Sequence, residues 1–390
     1  MKNWTLAIAA GLGAAMFLGA APALAAPSEV LDVGGVPLGV IVGPDGTAYV
    51  GDYGASGGIS VIPHGTARPA RTISTGGFTS GLALAPDGTL YVAERDNSTN
   101  QYDIGVIPAG ASGVARRIPV SPGAHLITAG PDGSIFVPDP FGHTVSVIAP
   151  KGSAVDRTIA VGSGPVEIAV TKDGTAFVAN QISGTVSVIP SGASTVLRTI
   201  QVSSAPGHTE NPHGIVAGPD GTVYVTNISS DAVAVIKPDS DTVAYRIPVP
   251  GGPQEAAVGP DGSLYVSTVQ DRVVSVIRPG ATAVGSSIPT DRNPSHLAVA
   301  PDGTVIVTNP GNGTGNGSVS RYAPIPVGEG GAGNSASSAP TVLAAPRPAE
   351  SGDGIAAPWN TATAIAGGLA ILVIAGAGFT IAAGRRKKAA

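Results

Sequence analysis

"GPDGTVYVTN" occupies residues 218–227, and six near-copies of it stand elsewhere in the chain. They are "GPDGTAYVGD" (43–52), "APDGTLYVAE" (85–94), "GPDGSIFVPD" (130–139), "TKDGTAFVAN" (171–180), "GPDGSLYVST" (259–268) and "APDGTVIVTN" (300–309). The motif aspartates follow one another at 42, 45, 41, 47, 41 and 41 residues. Self-similarity at this period belongs to a solenoid or a propeller. The chemistry inside one repeat decides between them. A short apolar run leads into a tight turn, in which Pro sets φ, Asp bonds the nearby backbone and Gly accepts positive φ. A "TxYV" strand follows, then a polar loop, a Val/Ile run such as "TVSVI", and an "RTI"-type strand. Four β segments per repeat, with no helical period, make a blade. The expected fold is all-β, a seven-bladed β-propeller of four-stranded antiparallel blades.

Two details fit the outer edge of such blades. The fourth segment carries a proline in three repeats, Pro119, Pro248 and Pro289. Proline cannot donate to a ladder and belongs on an edge strand. The seventh repeat lacks its own fourth segment, while "EVLDVGG" (29–35) aligns with "RTISTGG" (71–77). Residues 29–33 are therefore expected to complete the last blade and remove an open edge.

The flanks carry different signals. Residues 1–25 read as a secretory signal peptide, with Lys2 at the start, an apolar core and an A-x-A site at Ala23, Leu24 and Ala25. The propeller spans 26–324, and a Gly/Ala/Ser/Pro-rich disordered spacer follows over 325–360. The segment 361–384 reads as a transmembrane helix: 362–384 holds no charge, and about 1.5 Å per residue lets it cross a bilayer. The basic tail 385–390, beginning "RRKK", should stay cytoplasmic. The topology expected is a single-pass protein of the cell membrane with its propeller extracellular.

Charge and cysteine narrow the function. The chain has no cysteine, so neither disulfides nor thiolate chemistry is available. Its formal charge is −5, but five of its 21 basic residues lie in the leader and tail, while all 26 acids lie between them. The exported part is thus near −10, which argues against a nucleic-acid partner. Chance motifs also occur. "GASGG" (54–58) lies between two strands and is no nucleophile elbow. "GEGGAG" (328–333) lies in the spacer with no strand or helix beside it.

The literal "YVTN" at 224–227, inside seven repeats, resembles the YVTN-type β-propeller family, with NHL-like and streptogramin-lyase-like relatives. The resemblance covers about 300 residues and implies the propeller fold. Its functional implication is broad, because the family includes many surface and secreted proteins. Streptogramin-lyase-like propellers carry a "WFTE"-type signature, with His and Glu on neighbouring blades. Here His213 and Glu255 lie on neighbouring blades, and only Glu94, in "YVAE" on a distant blade, supplies the motif glutamate.

Strand direction locates a candidate site. The loop after strand two and the connection leading into strand one share one face, called the top. Seven residues after the motif aspartates stand Asp52, Glu94 and Asp139 on blades 1 to 3. Around the start of strand one stand His125, Glu167, His213, Glu255 and His296. These eight residues form the candidate ligand-binding face at the channel mouth. Carboxylates and amides suit calcium or magnesium, and imidazoles suit zinc or manganese, so a divalent cation is the cofactor to consider. The first reading is a ligand-binding or protein-interaction module for a cell-wall component, a small molecule or a protein. The second is a metal-dependent lyase or lactonase at the channel mouth. The third is a structural surface-layer component.

Overall fold

The computed structural model describes residues 27–324, except 55–56, 97–98, 205–209, 291–293 and 312–316. The expected signal peptide, spacer, membrane helix and tail lie outside the described residues. Among the described residues no helix is long and apolar enough to cross a membrane.

Each repeat folds into one antiparallel four-stranded sheet. Blade 1 is β2 (Pro37–Val42), β3 (Ala48–Asp52), β4 (Ile59–Ile62) and β5 (Arg71–Ile73). Blade 2 is β6 (Gly77–Leu84), β7 (Leu90–Asp96), β8 (Tyr102–Ile107) and β9 (Arg116–Pro119). Blade 3 is β10 (Thr128–Ala129), β11 (Ile135–Asp139), β12 (Thr144–Ile148) and β13 (Arg157–Ala160). Blade 4 is β14 (Pro165–Val170), β15 (Ala176–Asn180), β16 (Thr185–Ile189) and β17 (Arg198–Gln201). Blade 5 is β18 (Pro212–Ala217), β19 (Val223–Asn227), β20 (Ala232–Ile236) and β21 (Tyr245–Pro248). Blade 6 is β22 (Pro253–Val258), β23 (Leu264–Thr268), β24 (Val273–Ile277) and β25 (Ser286–Pro289). Blade 7 is β26 (Leu297–Val299), β27 (Val305–Asn309) and β28 (Ser318–Tyr322), completed by β1 (Glu29–Asp32). β1 pairs with β28 from Glu29↔Arg321 to Asp32↔Ser318, as the sequence alignment requires.

The repeated motif supplies both turn and core. Asp220 accepts hydrogen bonds from the Thr222 amide (3.0 Å) and hydroxyl (2.9 Å), and the other motif aspartates bond the residue two positions on in the same way. Val225 is buried between blades in a cluster that joins blade 4 to blade 5. Thr226 is a bolt: its hydroxyl donates to the Gln254 carbonyl of blade 6 at 2.7 Å. Ser267 makes the same bond to the Ser295 carbonyl (3.3 Å), and Thr308 to the Leu38 carbonyl (2.7 Å). The last of these closes the ring on the inside, while β1 closes it on the outside. The side chains of Leu31, Val319, Ile306 and Val50 fill the seam between blades 7 and 1.

Candidate functional site

The innermost strands surround the axis, and residues of seven such strands line two volumes. One, of about 310 Å³, has Glu167, Glu255 and His296 among its lining residues. The other, of about 400 Å³, opens at the far end and is ringed by turn residues including Pro44, Lys172, Pro219, Pro260 and Pro301. The polar cluster therefore sits at the mouth opposite the motif turns.

Local irregularity aims these side chains at the axis. The pairing of strands one and two slips between Pro165 and Glu167, Pro212 and Ile215, and Pro253 and Ala256. Such bulges re-aim side chains next to functional sites. Glu167, His213 and Glu255 lie in or beside these slips. His296 immediately precedes the short first strand β26, and His125 stands three residues before the start of β10. The inter-blade bolts hold the same segments: Thr226 grips the residue before Glu255, and Ser267 grips the residue before His296.

Glu255 is the centre of the cluster and is only 3% exposed. Its Oε1 stands 3.0 Å from Nδ1 of His213 and 3.8 Å from Nε2 of His296. These three atoms, together with Nε2 of His125, are buried without a hydrogen-bond partner. The 3.0 Å contact nevertheless pairs His213 with Glu255. Glu167 comes from the neighbouring blade, accepts a bond from the Ile215 amide at 2.8 Å, and shares a hydrogen bond with Glu255. The ionisation of the two carboxyls is split. Burial, then the charge of Glu255, holds Glu167 well above the usual carboxylate range. Burial acts in the same sense on Glu255, but His296 and His213 outweigh it and hold Glu255 below that range. Burial depresses His125 to about 4, with His296 and His213 adding to the effect. Burial also lowers His296, against the pull of Glu255. The mouth therefore presents one carboxylate, one carboxylic acid and, in His125 and His296, imidazoles that resist protonation.

The three candidates at the end of strand two stand apart from this cluster. Asp52 accepts hydrogen bonds from the Val36 and Gly54 amides, each at 2.7 Å. Asp139 accepts from the Phe141 (3.0 Å) and Gly142 (2.8 Å) amides. Both cap their own surroundings, as short acidic side chains in loops do. Glu94 is buried within blade 2, where its Oε2 lies 3.2 Å from Nη2 of Arg117. The same guanidinium bonds the Thr75 carbonyl of blade 1. Burial raises Glu94 to about 7, with Arg117 opposing. Among the described residues, no group of three or more His, Asp or Glu is arranged to hold a metal ion. The cluster as it stands does not fit the divalent cation that its residue types suggest, and no chemistry is assigned to one.

Sequence reasoning missed three neighbours. Tyr53 and Phe78 approach at 5.4 Å between ring centroids, Tyr53 reaches His125 at 6.2 Å, and Arg95 lies over Phe78 at 4.6 Å. Counting from the motif aspartate puts Tyr53 and Arg95 one residue beyond Asp52 and Glu94, on the same face.

Solved structures share this architecture. The hydrazine synthase of Kuenenia stuttgartiensis is 17% identical, with 74% of this chain and 96% of that chain covered and a TM-score of 0.63. A streptogramin B lyase is 16% identical, with 75% and 97% covered and a TM-score of 0.63. A catalytically inactive histidine-to-alanine variant of Staphylococcus aureus virginiamycin B lyase, solved with quinupristin, is 16% identical, with 76% and 99% covered and a TM-score of 0.60. At these identities the likeness is one of fold. No curated protein sequence matches the chain. The profile of the Virginiamycin B lyase family, however, matches residues 121–323, just over half of the sequence and the part that holds His125, Glu167, His213, Glu255 and His296; the chain belongs to that family.

Proposed function

We propose that the channel mouth is a ligand-binding site, and that the protein presents it outside the cell on a C-terminal membrane tether. One observation carries the first part. Nε2 of His125, Nδ1 of His213, Oε1 of Glu255 and Nε2 of His296 are all buried without a hydrogen-bond partner, although His213 and His296 stand within ion-pair distance of Glu255. Leaving a buried polar atom unpaired costs about 1–3 kcal/mol, so a ligand that supplies the missing partners gains that stabilisation on binding. Asp52 and Asp139, by contrast, have backbone amides as partners. The ligand is polar and donates to Glu255. The tether rests on the leader, the apolar segment 361–384 and the "RRKK" cluster. The test is to titrate soluble cell-wall fragments into the wild type and a Glu167→Ala/Glu255→Ala variant. Binding should be lost in the variant. A fragment that binds both alike puts the site elsewhere.

A second reading is a lyase that works by proton transfer. It is favoured by the split between Glu167 and Glu255, because carboxyls driven apart in ionisation mark acid and base roles. In such an elimination Glu255, the ionised member of the pair, takes a carbon-bound proton. The C–H electron pair forms the new double bond, and the C–O bond breaks towards oxygen. Glu167 then protonates the leaving oxygen. Quinupristin, present with the S. aureus variant, is the first compound to try. Elimination leaves the total mass unchanged, whereas hydrolysis adds water. Mass spectrometry should find a product of conserved mass that Glu167→Gln abolishes. Unaltered quinupristin would remove that compound as a substrate.

A further inference from the structure

The ring of Tyr53 belongs to the loop between β3 and β4 of blade 1, and His125 belongs to blade 3. Their centroids are 6.2 Å apart. Blades 1 and 3 are not neighbours, so a loop of one meets the other only near the axis, where the inner strands converge. Tyr53 therefore stands at the rim of the channel mouth rather than out over its own blade. Phe78, at the start of strand one of blade 2, leans on Tyr53 with the ring planes 40° apart. The guanidinium of Arg95 covers one face of Phe78. All four side chains keep part of their surface exposed.

These residues do not belong to the framework, because framework positions repeat. Where Tyr53 stands, the other blades have Arg95, Pro140, Gln181, Ile228, Val269 and Pro310. Where Phe78 stands, they have Val36, Gly123, Gly164, Asn211, Gly252 and Asn293. An aromatic pair is thus built once, on the blade 1–3 side of the mouth. Glu167, Glu255 and His296 occupy the side formed by blades 4, 6 and 7. His125 belongs to both sides: its ring meets Tyr53, and its electrostatic partners are His296, His213 and Glu255. Oε1 of Glu255 is buried at the mouth without a hydrogen-bond partner, which leaves an acceptor there to be met by a donor.

We propose that the mouth recognises a ring bearing a cationic nitrogen, the ring lying against Tyr53 and Phe78 and the ammonium meeting Glu255. This rests on the ligand-binding reading above and names the ligand's chemistry. Two sources share it, an amino sugar and an aromatic amine. Both a CH-rich sugar face and a π face complement an aromatic wall, and a charge-assisted bond to a carboxylate is among the strong ones.

Isothermal titration of the full-length protein with four probes tests it: glucosamine, phenethylamine, ethanolamine and glucose. One of the two ring amines should bind about five- to tenfold more tightly than ethanolamine, the gain expected of one good ring contact, and glucose should bind more weakly than glucosamine. Whichever ring amine leads identifies the source. Tyr53→Leu should remove that advantage and leave ethanolamine unchanged, while Tyr53→Phe should bind like the wild type. Glu255→Gln should weaken every amine. The inference is overturned if ring amines and ethanolamine bind alike, if no amine binds, or if Tyr53→Leu leaves the ring amines unaffected. If the amines bind and Glu255→Gln weakens none of them, the ligand-binding reading itself fails.

Discussion

Glu94 and Asn180 occupy the same place in different blades, seven residues after the motif aspartate, and they solve the same problem differently. Asn180 donates to Ser187 on the next strand at 3.0 Å. In blade 2 the serine's place is taken by Gly105, and a Cβ there would overlap Oε1 of Glu94. Gly105→Ser should therefore destabilise the protein by about 1–3 kcal/mol, as overpacking does, and Glu94→Asn added to it should restore most of the loss by rebuilding the Asn–Ser pair. Thermal melts of both variants check this. Titration gives a second test. Glu94 is raised from 4.5 to about 7 in the folded chain, so between those values the folded state holds a proton that the unfolded state has lost. Stability therefore falls as pH rises through that window. Glu94→Gln should abolish this contribution, and melting temperatures of wild type and variant should converge towards pH 4.5 and separate towards pH 7 in favour of the variant. Parallel curves would contradict the assignment. Strand direction alone placed His125, Glu167, His213, Glu255 and His296 on one face, and these five meet. It could not separate them from Asp52, Glu94 and Asp139, because the face a residue occupies does not say whether its side chain turns to the axis, to its own loop or into the blade. That depends on bulge register, which the composition of the strands does not encode.

At the scale of the strand, the closing element was legible because it is a displaced copy. β1 shares its buried third residue with the other outer strands, and with β13 also its length and a glycine two residues on. Leu31 is 2% exposed and joins the seam between blades 7 and 1. Glu29 lies 3.3 Å from Arg321, whose guanidinium also bonds the Thr66 carbonyl of blade 1. Leu31→Ala should cost about 2–5 kcal/mol, the range for a buried leucine. Deletion of residues 29–33 should cost more, because it exposes the ladder edge of β28 as well as the seam. Chemical denaturation of the two variants orders these effects, and a deletion variant as stable as the wild type would mean that the outer closure contributes nothing. The proline-bearing strands were legible for a related reason. Pro119, Pro248 and Pro289 all fall on outermost strands, where no further ladder needs their missing N–H. Less legible was the shortest strand, β10, since a two-residue pairing leaves no periodicity to read.

The whole molecule is a ring fastened twice, by β1 outside and by the Thr308 hydroxyl on the Leu38 carbonyl inside. Its channel has a polar mouth and, at the other end, a mouth ringed by turn prolines. Motif repetition made the ring readable, because every blade restates the same turn and core. The mouth was only partly readable, because its residues are the ones that break the repeat. The proposed tether is checked by adding protease to intact cells, which should release a soluble propeller; a propeller found free in the cytoplasm would contradict it. The central claim, that the polar mouth is where ligand binds, is tested most directly by histidine NMR. His125, His213 and His296 stand at that mouth, whereas His64 lies on the opposite face, 3.6 Å from Asp302 of a motif turn. The Cε1–H signals of the full-length protein would be followed while soluble cell-wall fragments are added. The signals of His125, His213 and His296 should move together to saturation while His64 stays fixed. Binding that moves His64, or that leaves all three mouth histidines unmoved, would contradict it.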